Sequence, residues 1–325
     1  MVVMSAIATI SDYDVEGDWL FLSTCNYRCS YCFVPPEQLG AKIEIFATPE
    51  EWGAAFDATG KRWLVHLTGG EPTVYPDFLP LCEALTQRHV ISINSNLSRP
   101  VVRMMAGRVD PSRVSFINAG LHVAERTRRA GGDDFLDNAR FLQDAGFRVI
   151  VTAVATPEVV ADFSSLAEMC AAYGLQLAPK VLRGEYKGKS YPWEYTPEEK
   201  TQLYGAVARA RDRYARMFEG WPPPTIDVLS DDEFLDGLPD YRGRSCSAGF
   251  RFVSLQPNGD AYRCNPGRVP MGNLLQGTLR LSGKPKLCDT QYCVYFCKKY
   301  TADALKYPPP LLGESQSGIA CTWSI

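Results

Sequence analysis

The chain has 325 residues, enough for one large domain plus a smaller appendage, and its 46% apolar and 22% charged content is ordinary for a globular protein. A net charge of −3, from 34 Lys+Arg against 37 Asp+Glu, supplies no basic field for nucleic acid or an anionic membrane surface. No run reaches the ~18 apolar residues of a membrane span, and no basic segment precedes an apolar one at the N-terminus, so the sequence predicts a cytoplasmic enzyme without nucleic-acid or membrane partners.

In chain order, short β-rich runs alternate with helical patterns. The predicted strands are Trp19–Ser23, Trp63–Leu67, Val90–Asn94, Val114–Asn118, Arg148–Val154 and Leu175–Val181. Several are nearly continuous apolar runs, as expected of strands covered on both faces. The predicted helices are one opening at Thr48-Pro49-Glu50-Glu51, then Asp77–Gln87, Arg99–Ala106, Asp133–Ala145, Glu158–Tyr173 and Thr196–Phe218. Six β/α units are too few for an eight-stranded barrel, so the fold class is α/β with an open, partial (β/α)6 TIM-like barrel. Gly220-Trp-Pro-Pro-Pro224 is a stiff break. From Cys246 the chain reads as short strands around Pro257-Asn258-Gly259-Asp260, a hairpin signal. The expected organisation is a core over 1–220, a linker over 221–245 and a small β-hairpin/helix unit over 246–325.

Eleven cysteines are many for a reducing compartment, and most fall in two groups. Cys82 and Cys170 stand in apolar helical patterns and read as small core residues. The first group, Cys25-x3-Cys29-x2-Cys32, directly follows the first strand. Three thiolates on one loop hold three irons of a cubane and leave the fourth open, unlike a four-cysteine ferredoxin site. The competing reading is zinc, which normally takes a fourth protein ligand that this loop lacks. One β/α unit later comes Thr68-Gly69-Gly70-Glu71-Pro72, whose glycines permit a close backbone approach. Alone it also reads as a plain turn. Asn94-Ser95-Asn96 ends the third strand, at the mouth of such a barrel or as the cap of the next helix.

Together these residues resemble the radical S-adenosylmethionine (SAM) superfamily over about residues 15–185. The resemblance implies a [4Fe-4S] cluster on Cys25, Cys29 and Cys32, SAM chelated at the open iron, and reductive cleavage to a 5′-deoxyadenosyl radical. It places Tyr31 near the adenine, and Thr68, Gly69, Gly70, Glu71, Pro72, Ser95 and Asn96 around SAM. A flavodoxin- or ferredoxin-type electron donor is implied as partner.

The second group is Cys246, Cys264, Cys288, Cys293 and Cys297, enough for another cluster, or for a zinc ribbon. It is similar to the C-terminal region of SPASM/twitch radical SAM enzymes, although the CxxC that opens their last run is missing. One auxiliary [4Fe-4S] cluster is expected on Cys246, Cys264 and two of the other three, and Cys321 leaves room for a second.

Members with auxiliary clusters oxidise sugar or cyclitol hydroxyls, or modify peptides and proteins by crosslinking, epimerisation or oxidation. Peptide-modifying members often carry a leader-binding domain of about 80 residues before the cluster loop. This chain reaches that loop at Cys25, so the primary expectation is a small hydroxylated metabolite, with a peptide or protein as the alternative. A non-enzymatic iron–sulfur carrier or regulator is the outlying reading. His122, Lys180 and Arg183 follow the fourth and sixth strands and are the candidate substrate-facing residues. Each also reads as a solvated loop charge. Tyr186, Tyr191 and Trp193 either shape the pocket or pack the link between domains.

Overall fold

Runs of Val, Ile, Leu and Trp form the strands of the fold, seen in a computed structural model that describes residues 13–129, 134–217, 232–237 and 240–290. The core elements, in order, are β1 (Val15–Leu22), α1 (Pro36–Leu39), α2 (Pro49–Ala58), β2 (Trp63–Gly69), α3 (Phe78–Thr86), β3 (Val90–Ser95), α4 (Val101–Met104), β4 (Val114–Gly120), α5 (Val123–Arg128), α6 (Phe135–Asp144), β5 (Val149–Val154), α7 (Pro157–Ala161), α8 (Phe163–Ala172) and β6 (Leu177–Lys180). A hairpin of β7 (Gly184–Tyr186) and β8 (Lys189–Tyr191) follows, then α9 (Pro197–Met217). The C-terminal strands are β9 (Ser245–Cys246), β10 (Phe252–Leu255), β11 (Asp260–Tyr262), β12 (Pro270–Asn273) and β13 (Lys286–Leu287).

Strands β1 to β6 lie side by side in sequence order and pair parallel, as the alternating pattern predicts. The helix beginning at Pro49 opens on a full capping box, with Thr48 accepting from Glu51 N and Glu51 bonding back to Thr48 N. The long helix expected over Glu158–Tyr173 is instead two, broken at Asp162. Cys82 and Cys170 are fully buried.

The C-terminal hairpin does not stand apart from this sheet. Strand β10 pairs parallel with β1, and β11 and β12 continue antiparallel, giving one sheet in the order β12-β11-β10-β1-β2-β3-β4-β5-β6. The Trp19 indole donates to the Gln256 carbonyl at 3.1 Å and pins this junction.

The two faces of the sheet differ in chemistry. Trp19, Phe21, Val65, Leu67, Ile91, Ile93, Ile117, Ala119, Val151 and Ala153 join the main core. By strand alternation, their neighbours face the other way. Low on that second face, Phe116, Ile150 and Ala178 pack with Ala210 and Tyr214 of α9. By the same alternation, this face also carries Asp18, Thr68, Asn94, Asn118, Thr152 and Lys180. A barrel face that carries polar side chains beside its apolar ones is suited to holding a ligand. No helix among the described residues is long and apolar enough to cross a membrane.

Candidate active site

The cluster loop leaves β1 and is fixed at both ends. Cys25 N donates to Leu39 O at 2.9 Å, and Cys32 N closes a turn on Cys29 O at 3.0 Å. Backbone amides point at the sulfurs. Tyr27 N donates to Cys25 Sγ at 3.3 Å, and the Val34 backbone does the same for Cys32. An N–H aimed at sulfur favours the thiolate, the form that binds iron. Without metal, burial outweighs these bonds and pushes the Cys25 thiol up to about 11 and Cys29 to about 12. The donor set therefore fits a cation that replaces the protons. No three His, Cys, Asp or Glu side chains among the described residues converge on a single-ion site. A cubane does not require such convergence, because each iron takes one thiolate.

A cationic collar surrounds the loop. Arg28 donates to the Cys25 carbonyl at 2.6 Å. Arg126 lies 4.2 Å from the Phe135 ring centroid and donates to the Asn96 carbonyl. Arg129 covers the Tyr27 ring at 4.6 Å and donates to the Asn26 carbonyl. Tyr31 and His122 stack at 6.2 Å and 20°, with His122 Nδ1 2.9 Å from the Tyr31 hydroxyl and 3.4 Å from Cys29 Sγ. Burial, then Arg126 and Lys180, hold the His122 pKa down to about 4, so the imidazole is neutral. His122 thus buttresses the cluster loop.

The glycine motif performs packing work in this fold. A Cβ on Gly70 would lie 2.0 Å from Thr24 O, and one on Gly69, at φ +124°, 2.0 Å from Leu22 O. Gly70 N and Glu71 N bond to the carbonyls of Leu22 and Thr24 at 2.8 and 2.9 Å. The two glycines let the end of β2 lie directly against the strand end that launches the cluster loop. Thr68 Oγ1 bonds to Asp18 Oδ1 at 3.1 Å, and Pro72 starts a buried 3-10 turn.

Glu71 is 1% exposed and its carboxylate is fully engaged. Oε1 accepts from the Thr73 amide (3.1 Å), the Thr73 hydroxyl (2.5 Å) and the Ser95 hydroxyl (2.7 Å), and Oε2 accepts from Asn96 N at 2.7 Å. Burial pushes its pKa up and these donors oppose the shift. Asn96 Nδ2 in turn donates to Asn26 Oδ1 at 2.9 Å, inside the cluster loop. Glu71, Ser95 and Asn96 are therefore one network that ties β2, β3 and the loop together.

Among the candidate substrate residues, Lys180 ends β6 close enough to His122 to act on it electrostatically. Arg183 places its guanidinium 4.2 Å from the ring of Phe234, which belongs to a second core with Tyr186 and Tyr191 against which Tyr31 also packs. Trp193 is half exposed.

Three of the five C-terminal cysteines gather in one place. Cys246 and Cys264 are buried with Tyr241 and Phe252, and Cys288 packs on them. Strands β9 and β13 pair, with Cys246 opposite Lys286. Amides again point at sulfur: Ala248 N to Cys246 at 3.5 Å and Gly267 N to Cys264 at 3.3 Å. Arg263 joins the segments by donating to the carbonyls of Ala248 (3.2 Å), Lys286 (3.3 Å) and Leu287 (2.9 Å). Cys293, Cys297 and Cys321 lie outside the described residues.

Residues 19–170 match the radical SAM superfamily. The chain is 29% identical over 263 residues to mycofactocin maturase MftC of Mycobacterium tuberculosis, covering 76% of this chain and 63% of that protein. It thus spans about 63% of the length of the curated relatives it matches first. Streptococcus suis SuiB bound to precursor peptide SuiA superposes with a TM-score of 0.52 at 13% identity, over 82% of this chain and 65% of that one. Native anSMEcpe with bound AdoMet and the Kp18Cys peptide gives a TM-score of 0.52 at 13% identity, over 82% and 81%. These likenesses show the fold, a partial TIM-like barrel.

Proposed function

With residues 19–170 belonging to the radical SAM superfamily, we propose that this chain is an enzyme that modifies a ribosomally made peptide or a protein. Cys25, Cys29 and Cys32 would hold the [4Fe-4S] cluster, and residues at the ends of β1, β2 and β3 would hold SAM. Bound together, cluster and SAM supply reductive cleavage and hydrogen-atom abstraction. The chain's own residues position that chemistry. The glycine pair seats the loop, the Glu71 network fixes it to β3, and the arginine collar favours anionic sulfur and faces an acidic flavodoxin- or ferredoxin-type donor. Lys180 and the polar residues Asn94, Asn118 and Thr152 line the substrate side, where they hold and orient the substrate.

Cys246, Cys264 and Cys288, completed by Cys293 or Cys297, would hold an auxiliary [4Fe-4S] cluster, which would supply an electron acceptor. The gathering of the first three sulfurs, with backbone amides aimed at those of Cys246 and Cys264, supports this reading.

The similarity to a maturase over 76% of the chain carries the peptide reading, in preference to the small hydroxylated metabolite. Two solved neighbours are bound to peptides, in the same direction. The test is anaerobic turnover with SAM and a strong reductant, in the presence of candidate peptides or of sugars and cyclitols. A peptide should raise 5′-deoxyadenosine formation and pass deuterium from its labelled carbon to that product. Stimulation by a sugar or cyclitol, with none by peptides, would overturn the substrate reading.

A further inference from the structure

The residue after Cys264 makes a contact that neither the cluster nor SAM requires. Asn265 Nδ2 donates to Asp18 Oδ2 at 2.7 Å, and Asn265 Oδ1 accepts the Ser254 hydroxyl. Asp18 Oδ1 accepts the Thr68 hydroxyl at 3.1 Å. Asp18 is 8% exposed and Ser254 2%. A carboxylate so deeply placed needs donors, and Asn265 supplies one of them across the junction of β1 with β10.

The location gives the contact its meaning. Asp18 of β1 and Ser254 of β10 are register partners on the rung that joins the C-terminal strands to the barrel. Asn265 spans that rung with both ends of its amide. Its chain neighbour Cys264 belongs to the gathered cysteine group, and Thr68 at the other end opens the glycine motif. One hydrogen-bonded line therefore runs from the Cys264 turn to the strand end that seats the SAM-cluster loop.

We propose that Asn265 is a positioning residue that fixes the Cys264 turn to the barrel through Asp18, setting how the C-terminal cysteine group faces the cluster loop. The link itself rests on the side-chain geometry. Its consequence for a second cluster rests on the auxiliary-cluster reading given above.

Two variants test it. Asn265→Leu removes the amide and leaves Asp18 short of a donor. The double variant Asp18→Asn/Asn265→Asp reverses donor and acceptor, so the new amide donates to the new carboxylate while Ser254 and Thr68 keep their acceptors. Hydrogen exchange of residues 252–265, relative to β2, is the cluster-independent readout. The second readout is the electron paramagnetic resonance signal of the auxiliary cluster in the anaerobically loaded full chain. Asn265→Leu should speed exchange in that segment about tenfold, the loss of one charge-assisted hydrogen bond, and alter the auxiliary signal with the SAM-cluster signal retained. The double variant should recover both. Parent-like exchange in Asn265→Leu, or no recovery in the double variant, overturns the positioning role. A parent chain holding only about four irons would instead remove the auxiliary-cluster reading, and the exchange result alone would then decide the link.

Discussion

Replacing Glu71 separates two roles that its motif suggests. If the carboxylate serves mainly as charge for SAM, Glu71→Ala weakens SAM binding and leaves the fold alone. The structure instead spends the whole carboxylate on Thr73, Ser95 and Asn96. In Glu71→Ala the hydroxyls of Thr73 and Ser95 can rotate, but the amides of Thr73 and Asn96 stay fixed and buried. At about 1–3 kcal/mol per stranded donor, the two amides alone cost about 2–6 kcal/mol, a large share of the roughly 5–15 kcal/mol that holds a domain together. Glu71→Gln keeps one acceptor oxygen and turns an NH2 toward a donor, costing about 1–3 kcal/mol. Urea unfolding of the metal-free chain under reducing conditions measures both through the midpoint, at constant slope. Unfolding of Glu71→Ala within about 0.5 kcal/mol of the parent, the usual scatter of neutral surface changes, would refute the network.

Gly70→Ala should displace the cluster loop, because its new Cβ would lie 2.0 Å from Thr24 O; iron bound at the first site and 5′-deoxyadenosine formation should both fall below about a tenth of the parent. Arg263→Leu should remove the three carbonyl bonds that hold the cysteine segments together, lowering reconstituted iron from about eight to about four per chain, while SAM cleavage at the first cluster persists. His89 is held down to about 4 by burial. The unfolded chain therefore binds the extra proton first, and stability should be full above about pH 6.5 and decline towards pH 4 by up to about 1.4 kcal/mol per pH unit. His89→Gln should flatten that decline in urea midpoints taken at pH 4.5 and 6.5.

Much of the fold is legible in the sequence, because the information is local. Apolar runs such as WLVHL and VISIN mark strands that helices cover, and Thr-Pro-Glu-Glu marks a capped helix start. The break at Asp162 and the β7–β8 hairpin depend on packing against α9 and the 232–237 segment, which no local pattern reports. The cysteine loop is legible for the same reason: three cysteines stand within eight residues. What those residues bond to is not. Glu71 reads as a ligand-facing charge and is a structural hub. His122 reads as a substrate contact and stacks on Tyr31. Asn26, Arg126 and Arg263 carry no motif, because their partners are distant in sequence: the side chains of Asn96 and Ser98 for Asn26, and backbone carbonyls for the two arginines. Asp18, Asn94 and Asn118 leave a fainter signal, polar side chains at alternate positions of otherwise apolar strands. The joining of β10 to β1 was also hidden, since pairing across more than two hundred residues leaves no local trace.

Replacing Cys25, Cys29 and Cys32 together with alanine, then assaying SAM cleavage under strong reducing conditions, should abolish 5′-deoxyadenosine formation while the auxiliary cluster signal remains. Continued SAM cleavage by the triple variant would contradict the account at its base.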